Sequence, residues 1–223
     1  MTMNTNNPTL YVPALGNIVL PDVDTVINSL EENGVRQTID SLGWKEKYPY
    51  HPLTTFSMAH SDTTLFIDFF VRSNYLRAVN FKPNTPVYED SCVGMCIQPD
   101  VNNPAYITLM INCIGTISGK LHGADGSETV IPEEKLSAIT CYASCGNRPF
   151  RELEGLFTWN ILAEIPFSFL GIDTPEFPVK MKGNFFKCAS GTSQPHFLSW
   201  MPIDSPTPQF ERPDCFGNLT LEQ

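Results

Sequence analysis

No apolar run in this chain lasts long before a proline, a glycine or a charge interrupts it. Even the dense stretch Leu65–Val71 is broken by Asp68, and it falls far short of the roughly 20 residues that a helix needs to cross a bilayer. Nineteen prolines and 14 glycines, with only 17% charged residues, leave little room for long helices. A chain punctuated in this way builds its core from many short strands joined by turns. At 223 residues, 42% of them hydrophobic, it carries enough apolar side chain for a sizeable core and is far from a disordered composition. The expectation is one domain over 1–223, with 1–43 as an N-terminal extension and helix.

One segment breaks the β pattern. PDVDTVINSLEEN, from Pro21 to Asn33, places Val23, Val26, Ile27 and Leu30 on one stripe, opens on acidic residues and meets Gly34 as a stop. After it, Leu53–Ala59 and Thr64–Val71 flank the turn-like His60-Ser61-Asp62 and read as a hairpin. Further strands are expected at Leu76–Phe81, Ser91–Gln98, Tyr106–Thr116, Lys135–Tyr142, Thr158–Ile165, Gly183–Cys188, Phe197–Trp200 and Leu219–Leu221. In Thr158–Ile165, Trp159, Ile161, Ala163 and Ile165 share one face and Glu164 faces the other way, toward solvent. About ten short strands and one N-terminal helix predict an all-β fold, an antiparallel β-sandwich of jelly-roll or immunoglobulin-like type. Pro202–Pro213, with four prolines, is a stiff loop of the kind that carries sites in sandwiches.

Charge narrows the partners. Fourteen basic against 24 acidic residues leave a net charge of −10, with no local basic patch, so nucleic acid is not an expected ligand. No membrane partner is expected either. MTMNTNNPTLYVPALG has neither a positive cluster nor an apolar stretch of leader length, which reads as cytoplasmic, or as periplasmic or secreted if a leader has been trimmed. Oligomeric state leaves no mark in the sequence.

The chain has seven cysteines. Cys92, Cys113 and Cys188 lie within apolar strands, as buried free thiols do, and the Cys92/Cys96 and Cys141/Cys145 pairs lack the tight knuckles and histidine partners of a zinc site. No cofactor is expected. Asp90, Asp100 and Asp125 could offer oxygens to calcium, but their spacing forms no dedicated loop. Met58 and His60 are the one close pair that could ligate haem, and both fall in the expected hairpin.

No nucleophile elbow, zinc-protease helix, phosphate loop or dinucleotide fingerprint occurs, and His51, His60, His122 and His196 are scattered. Glu152 and Glu154 would share a strand face, but glycoside hydrolysis needs carboxylates on opposite sides of a sugar. The chain is therefore expected not to be an enzyme. Sugar recognition asks for something else, flat rings as platforms with a few polar groups to orient the ligand. The rings of interest are those outside strand periodicity: Tyr88 in NTPVYEDS and Phe210 in SPTPQFERP.

VYEDSCVGMCIQP (87–99) resembles the strand V-W-x-D-S-C-V-E-F-F-I of family 9-like carbohydrate-binding modules. YITLMINCIGT (106–116), GNFFKCAS with PHFLSWMPI (183–203), FERPDCFGNLTLE (210–222), WKEKYPYHPLTTFSMAH and the Arg77-Ala78 step resemble further motifs of that family, in its order, from about 44 to 222. The resemblance implies a β-sandwich and non-catalytic binding of a sugar or oligosaccharide between two aromatic platforms. By position it implies Tyr88 and Phe210 as the platforms and Asn112 as a hydrogen-bonding partner. Trp200 and Arg77 stand at motif positions where either a ligand or the scaffold could use them. Three departures stand out: Gly94 replaces the acidic residue of the first motif, Met110 a polar residue, and Glu211 a histidine. Sugar sites rely on polar groups to orient the ring, so these changes either weaken and redirect binding or leave a structural, protein-interacting domain.

Overall fold

The computed structural model describes residues 9–15 and 22–223. Among these residues thirteen strands form two sheets. The larger contains β1 (Thr9–Val12), β5 (Cys92–Gln98), β6 (Tyr106–Asn112), β7 (Ile117–His122), β8 (Glu128–Val130), β11 (Val179–Ala189), β12 (His196–Ser199) and β13 (Gly217–Leu221). Its order is β1-β13-β11-β5-β6-β7-β8, with β12 also paired to β11. The smaller runs β2-β3-β4-β10-β9, from β2 (Val35–Thr38), β3 (Leu53–His60), β4 (Thr64–Ala78), β9 (Thr140–Ala143) and β10 (Phe150–Pro166). Pairing is antiparallel throughout except between β1 and β13. The all-β sandwich expected from the sequence is the fold observed. The segment before residue 44 is woven into it, since β1 extends the larger sheet and β2 the smaller.

Alternation explains the core. Val93, Met95 and Ile97 of β5, Ile107, Leu109 and Ile111 of β6, and Trp159, Ile161, Ala163 and Ile165 of β10 point between the sheets and are buried together. Two smaller clusters lie outside. Helix α1 (Val23–Asn33) lays Val26 and Leu30 over Ala59, Phe66 and Leu162 of the smaller sheet. On the outer face of the larger sheet, Cys92, Cys96, Phe186 and Cys188 are covered by Trp44, Ile203, Phe210 and Phe216.

The helix begins where its first-turn N–H of Thr25 donates to the Asp22 side chain, 2.9 Å away. Pro21 lies outside the described residues. Gly34 ends it by close approach rather than by a left-handed turn: its φ is −73°, and a Cβ there would sit 2.5 Å from the Leu30 carbonyl oxygen.

Several strand expectations need correction. Lys135–Tyr142 is not one strand but the end of α2 (Glu133–Leu136), a turn, and β9. Pro132 followed by Glu133 and Glu134 is a helix-start signal that outweighed the apolar alternation after it. Leu76 and Arg77 belong to β4, which continues through polar Arg72, Ser73 and Asn74 opposite the partly exposed first half of β10. β6 stops at Asn112, whose side chain organises the turn that follows. The short strands β1, β2, β7 and β8 carry too little apolar pattern to announce themselves. Glu164 does face away from Trp159, but it is half-buried, which raises its pKa.

A lysine sits in the core. Lys187 of β11 is fully buried; its Nζ donates to the Cys188 carbonyl at 2.8 Å and lies 5.6 Å from the centre of the Trp159 ring. Among the described residues no carboxylate pairs with it, and burial lowers its pKa from 10.5 to about 8. A basic group so shifted costs stability fully below pH 8, and the cost fades as pH rises toward 10.5, where the unfolded chain still holds the proton the folded amine has released. Lys187→Met is therefore expected to be more stable than the parent by about 1–3 kcal/mol at pH 7. Urea unfolding of both proteins across pH 7–10 should find that lead shrinking as the pH rises.

Candidate functional site

The site is built around the turn that feeds β5. Pro86 leads into a single 3-10 turn, Val87–Glu89, that packs on β5 and β6. Val87 points into the outer cluster and is buried, so Tyr88 is turned outward and its residue is 46% exposed. Its main chain is nevertheless held. The Tyr88 carbonyl accepts from the Ser190 N–H at 3.0 Å and from the Ser190 hydroxyl at 3.3 Å, while the Glu89 carbonyl accepts from the Gly191 N–H at 2.9 Å. Gly191 is required there, because a Cβ would fall 2.7 Å from Arg77 Nη1 and 2.8 Å from the Glu89 oxygen.

Beneath the turn lies a buried polar network. Asp90 Oδ1 accepts from Arg77 Nη1 at 2.9 Å and from the Val79 N–H at 3.1 Å. Asp90 Oδ2 accepts from the Asn80 N–H at 2.9 Å and from Asn112 Nδ2 at 3.0 Å. Asn112 Nδ2 also donates to the Asn80 carbonyl at 2.7 Å, and its Oδ1 accepts from the Ile114 and Thr116 N–H groups. Asn112 is thus buried, with its side chain engaged in holding the turn that follows β6. Arg77 belongs to the same support, bonded to Asp90 and 3.7 Å from Glu89 Oε2.

Phe210 does not stand in an open loop as its setting suggests. It is 5% exposed and stacks on Phe186, centroids 4.1 Å apart and planes 6° from parallel, with the Trp44 ring edge-on at 6.0 Å. The cause is across the sheet. Phe186 pairs in register with Gly94, and a Cβ on residue 94 would lie 2.4 Å from Phe186 Cε2. The missing acidic side chain and the inward stack are one packing solution: with no side chain at 94, the Phe186 ring lies over β5 and Phe210 closes on it. Tyr88 and Phe210 therefore do not form a pair of solvent-facing rings. Trp200 is half-buried, edge-on to Phe56 at 6.0 Å, with its Nε1 donating to Gln37 Oε1 at 3.4 Å.

The outer face on which that turn packs is set by strand alternation. One rung of the outer face reads Phe186, Gly94, Met110 and Ser118, and the next Asn184, Cys96, Thr108 and Lys120. Met110 and Ser118 are partly exposed, and Lys120 lies close enough to feel both Tyr88 and the Glu211 carboxylate. Lys120 Nζ is itself 2.7 Å from Glu128 Oε1, the main cause of its raised pKa. Behind it His122 stacks on Tyr106 at 4.2 Å and pairs with the Thr108 hydroxyl, its pKa lowered by burial. Lys120 went unnoticed in the sequence; its only signal was the alternation of ISGKLH beside an apolar strand.

The other candidate groups are used locally. Glu152 accepts from the Ser193 N–H at 2.7 Å and from the Ser193 hydroxyl, tying the loop after β11 to β10. Met58 is in the inter-sheet core, and both His60 ring nitrogens lie against carbonyl oxygens, of Ser61 and Glu222. Asp100 accepts from the Asn102 N–H and Asp125 from the Ser127 N–H, while Asp90 is spent on the network above. Among the described residues no cluster of three or more His, Cys, Asp or Glu could hold a metal, and no helix is long and apolar enough to cross a membrane. A deeper cleft of about 590 Å³ lies on the opposite side, between α1 and the β9–β10 hairpin.

A family model described as carbohydrate-binding family 9 matches residues 24–221. No curated protein matches the chain. Among solved structures, a candidate carbohydrate-binding protein from Bacteroides uniformis is similar at 30% identity over 97% of this chain and 100% of its own, with a TM-score of 0.89. A carbohydrate-binding module of family 9 from Caldicellulosiruptor kristjanssonii in complex with glucose aligns at 13% identity over 96% of both chains, TM-score 0.59. Its complex with cellotriose aligns at 14% over 96% of this chain and 94% of that one, TM-score 0.57. At those identities the Caldicellulosiruptor likeness speaks for the fold.

Proposed function

Because this chain belongs to carbohydrate-binding family 9, we propose that it is a non-catalytic module that binds a sugar or the end of a short oligosaccharide on the outer face of its larger sheet. The observation that carries this reading is Tyr88, a large ring held in water by a hydrogen-bonded turn above a buried ionic network. A ring fixed in that way presents its face to the C–H groups of a pyranose at little entropic cost. Lys120, on the outer face of β7 and within electrostatic range of Tyr88, is the candidate donor to hydroxyls. The sugars held by the Caldicellulosiruptor module, glucose and cellotriose, are the first to try. With Phe210 committed to the Phe186 stack, the ligand rests on one ring rather than between two, which makes for a weaker, more open site.

Isothermal titration with glucose, cellobiose and cellotriose tests this. Binding is expected in the parent and should fall at least about tenfold in Tyr88→Ala, roughly 1.4 kcal/mol, with stability nearly unchanged because the ring is half in solvent. Equal binding in parent and variant would remove Tyr88 from the site. The space over Gly94, filled by Phe186 and Phe210, favours a second reading, a protein-interaction domain, and no heat with any of the sugars would support it.

A further inference from the structure

The outer face of the smaller sheet carries polar groups and rings that the Tyr88 face does not use. Helix α1 covers one part of it, over Ala59, Phe66 and Leu162. Beside the helix opens the cleft of about 590 Å³, walled by Ile27 on α1 and by Tyr142, Asn160 and Leu162 on the β9–β10 hairpin. A second cleft of about 380 Å³ shares Ile114, Cys141 and Asn147 with the first and is bounded by Phe81. Both fall in the usual range of ligand pockets, about 300–1,000 Å³. Each has one exposed ring, Tyr142 in the first and Phe81 in the second. Asn160 is held from behind: its Nδ2 donates to Asp68 Oδ2 at 3.2 Å, which fixes the orientation of the amide. Asp68 is only 5% exposed and stands directly opposite Leu162 in register, so its carboxyl adjoins two residues of the cleft wall. Its other oxygen, Oδ1, is buried and has no hydrogen-bond partner among the described residues. Burial pushes the Asp68 pKa up to about 6, so above that pH the group is ionised and can only accept.

We propose that these adjoining clefts are a second saccharide site, taking one neutral pyranose against Tyr142 and the next unit of a short chain against Phe81. The chemistry of the walls selects that class. Among the described residues no lysine, arginine or histidine lines either cleft, while Asp24 lines one and Glu133 the other. A phosphate, sulfate or carboxylate would find no counter-charge there. A purely apolar ligand would leave the amides of Asn147 and Asn160 without partners. A sugar answers both conditions. Its C–H face lies on an aromatic ring, its hydroxyls donate and accept as the amides do, and a donor is what Asp68 Oδ1 lacks. The site lies on the other sheet from the Tyr88 turn and stands whether or not that ring meets a ligand.

Amide NMR of the whole chain reads the two sites separately. Titration with glucose, cellotriose, maltotriose and xylotriose is expected to shift the side-chain amide signals of Asn147 and Asn160 with at least one sugar, and to do so equally in Tyr88→Ala. In Tyr142→Ala the affinity read at those signals should fall about tenfold or more, the loss of a ring platform. Phe81→Ala should weaken the trisaccharide by about three- to tenfold and leave glucose unchanged, a split that a structural role would not give. Both rings are exposed, so both variants are expected to fold; Asn147→Ala, in an exposed turn and read at Asn160, repeats the test should Tyr142→Ala not fold. Shifts confined to the Val87–Glu89 turn and lost in Tyr88→Ala would overturn this site and leave the first standing, and shifts at Asn147 and Asn160 alone would do the reverse. No shift of these two amides with any of the sugars, or shifts that neither variant weakens, would equally overturn it.

Discussion

Phe210→Ala is expected to lower the free energy of unfolding by about 3–5 kcal/mol, the cost of emptying a buried aromatic position. The ring contributes the outer half of a parallel stack on Phe186 and one wall of the cluster with Trp44 and Phe197. Its loss thins the cover over Phe186 and Cys96 that it shares with Trp44, Ile203 and Phe216. Urea unfolding measures this directly, with an unchanged slope expected, since the amount of surface exposed on unfolding stays nearly the same. A loss within about 0.5 kcal/mol would put the ring back on the surface and reopen it as a ligand platform. Phe210→Leu separates packing from stacking, and the milder loss of a volume-matched apolar swap is expected for it.

A comparable loss, about 3–5 kcal/mol, is expected for Asp90→Ala, because the change leaves buried donors without an acceptor. Arg77 loses its close carboxylate, the Val79 and Asn80 N–H groups lose their oxygens, and Asn112 loses one of two acceptors. Asp90 contacts no surface a sugar could reach, yet it fixes the turn on which Tyr88 stands. Sugar affinity should therefore fall in this variant too, under conditions where it remains folded, and thermal unfolding with and without cellotriose reads both effects. Unchanged stability would mean that Arg77 finds its partner in Glu89 instead, which lies 3.7 Å away.

Motif order and strand alternation reach the architecture because both are local in the chain. The hairpin around His60-Ser61-Asp62, the face shared by Trp159 and Ile165, and the capped helix ending at Gly34 all follow from a few neighbouring residues. The same locality fails for the second half of β4, where exposed Arg72 and Asn74 alternate with buried Ser73 before the apolar pattern resumes at Leu76. Of the five residues the resemblance picks out, Arg77 and Asn112 meet on Asp90, two residues after Tyr88, while Phe210 and Trp200 are packed elsewhere. The resemblance does not separate the ring that meets water from the groups that hold it there.

That separation is a property of partners far apart in sequence. Gly94 and Phe210 stand out in the sequence for separate reasons and Phe186 for none; only the register of β5 with β11 brings a glycine under a phenylalanine ring and leaves a space that Phe210 fills. Lys187 is likewise an ordinary strand lysine until alternation against Phe185 and Leu198 turns it into the core. An all-β sandwich of this family is written in residue periodicity and motif order, because those depend on near neighbours. Which side chains face solvent is settled only when strands pair and loops fold over them, because burial is a relation between segments that the chain brings together last.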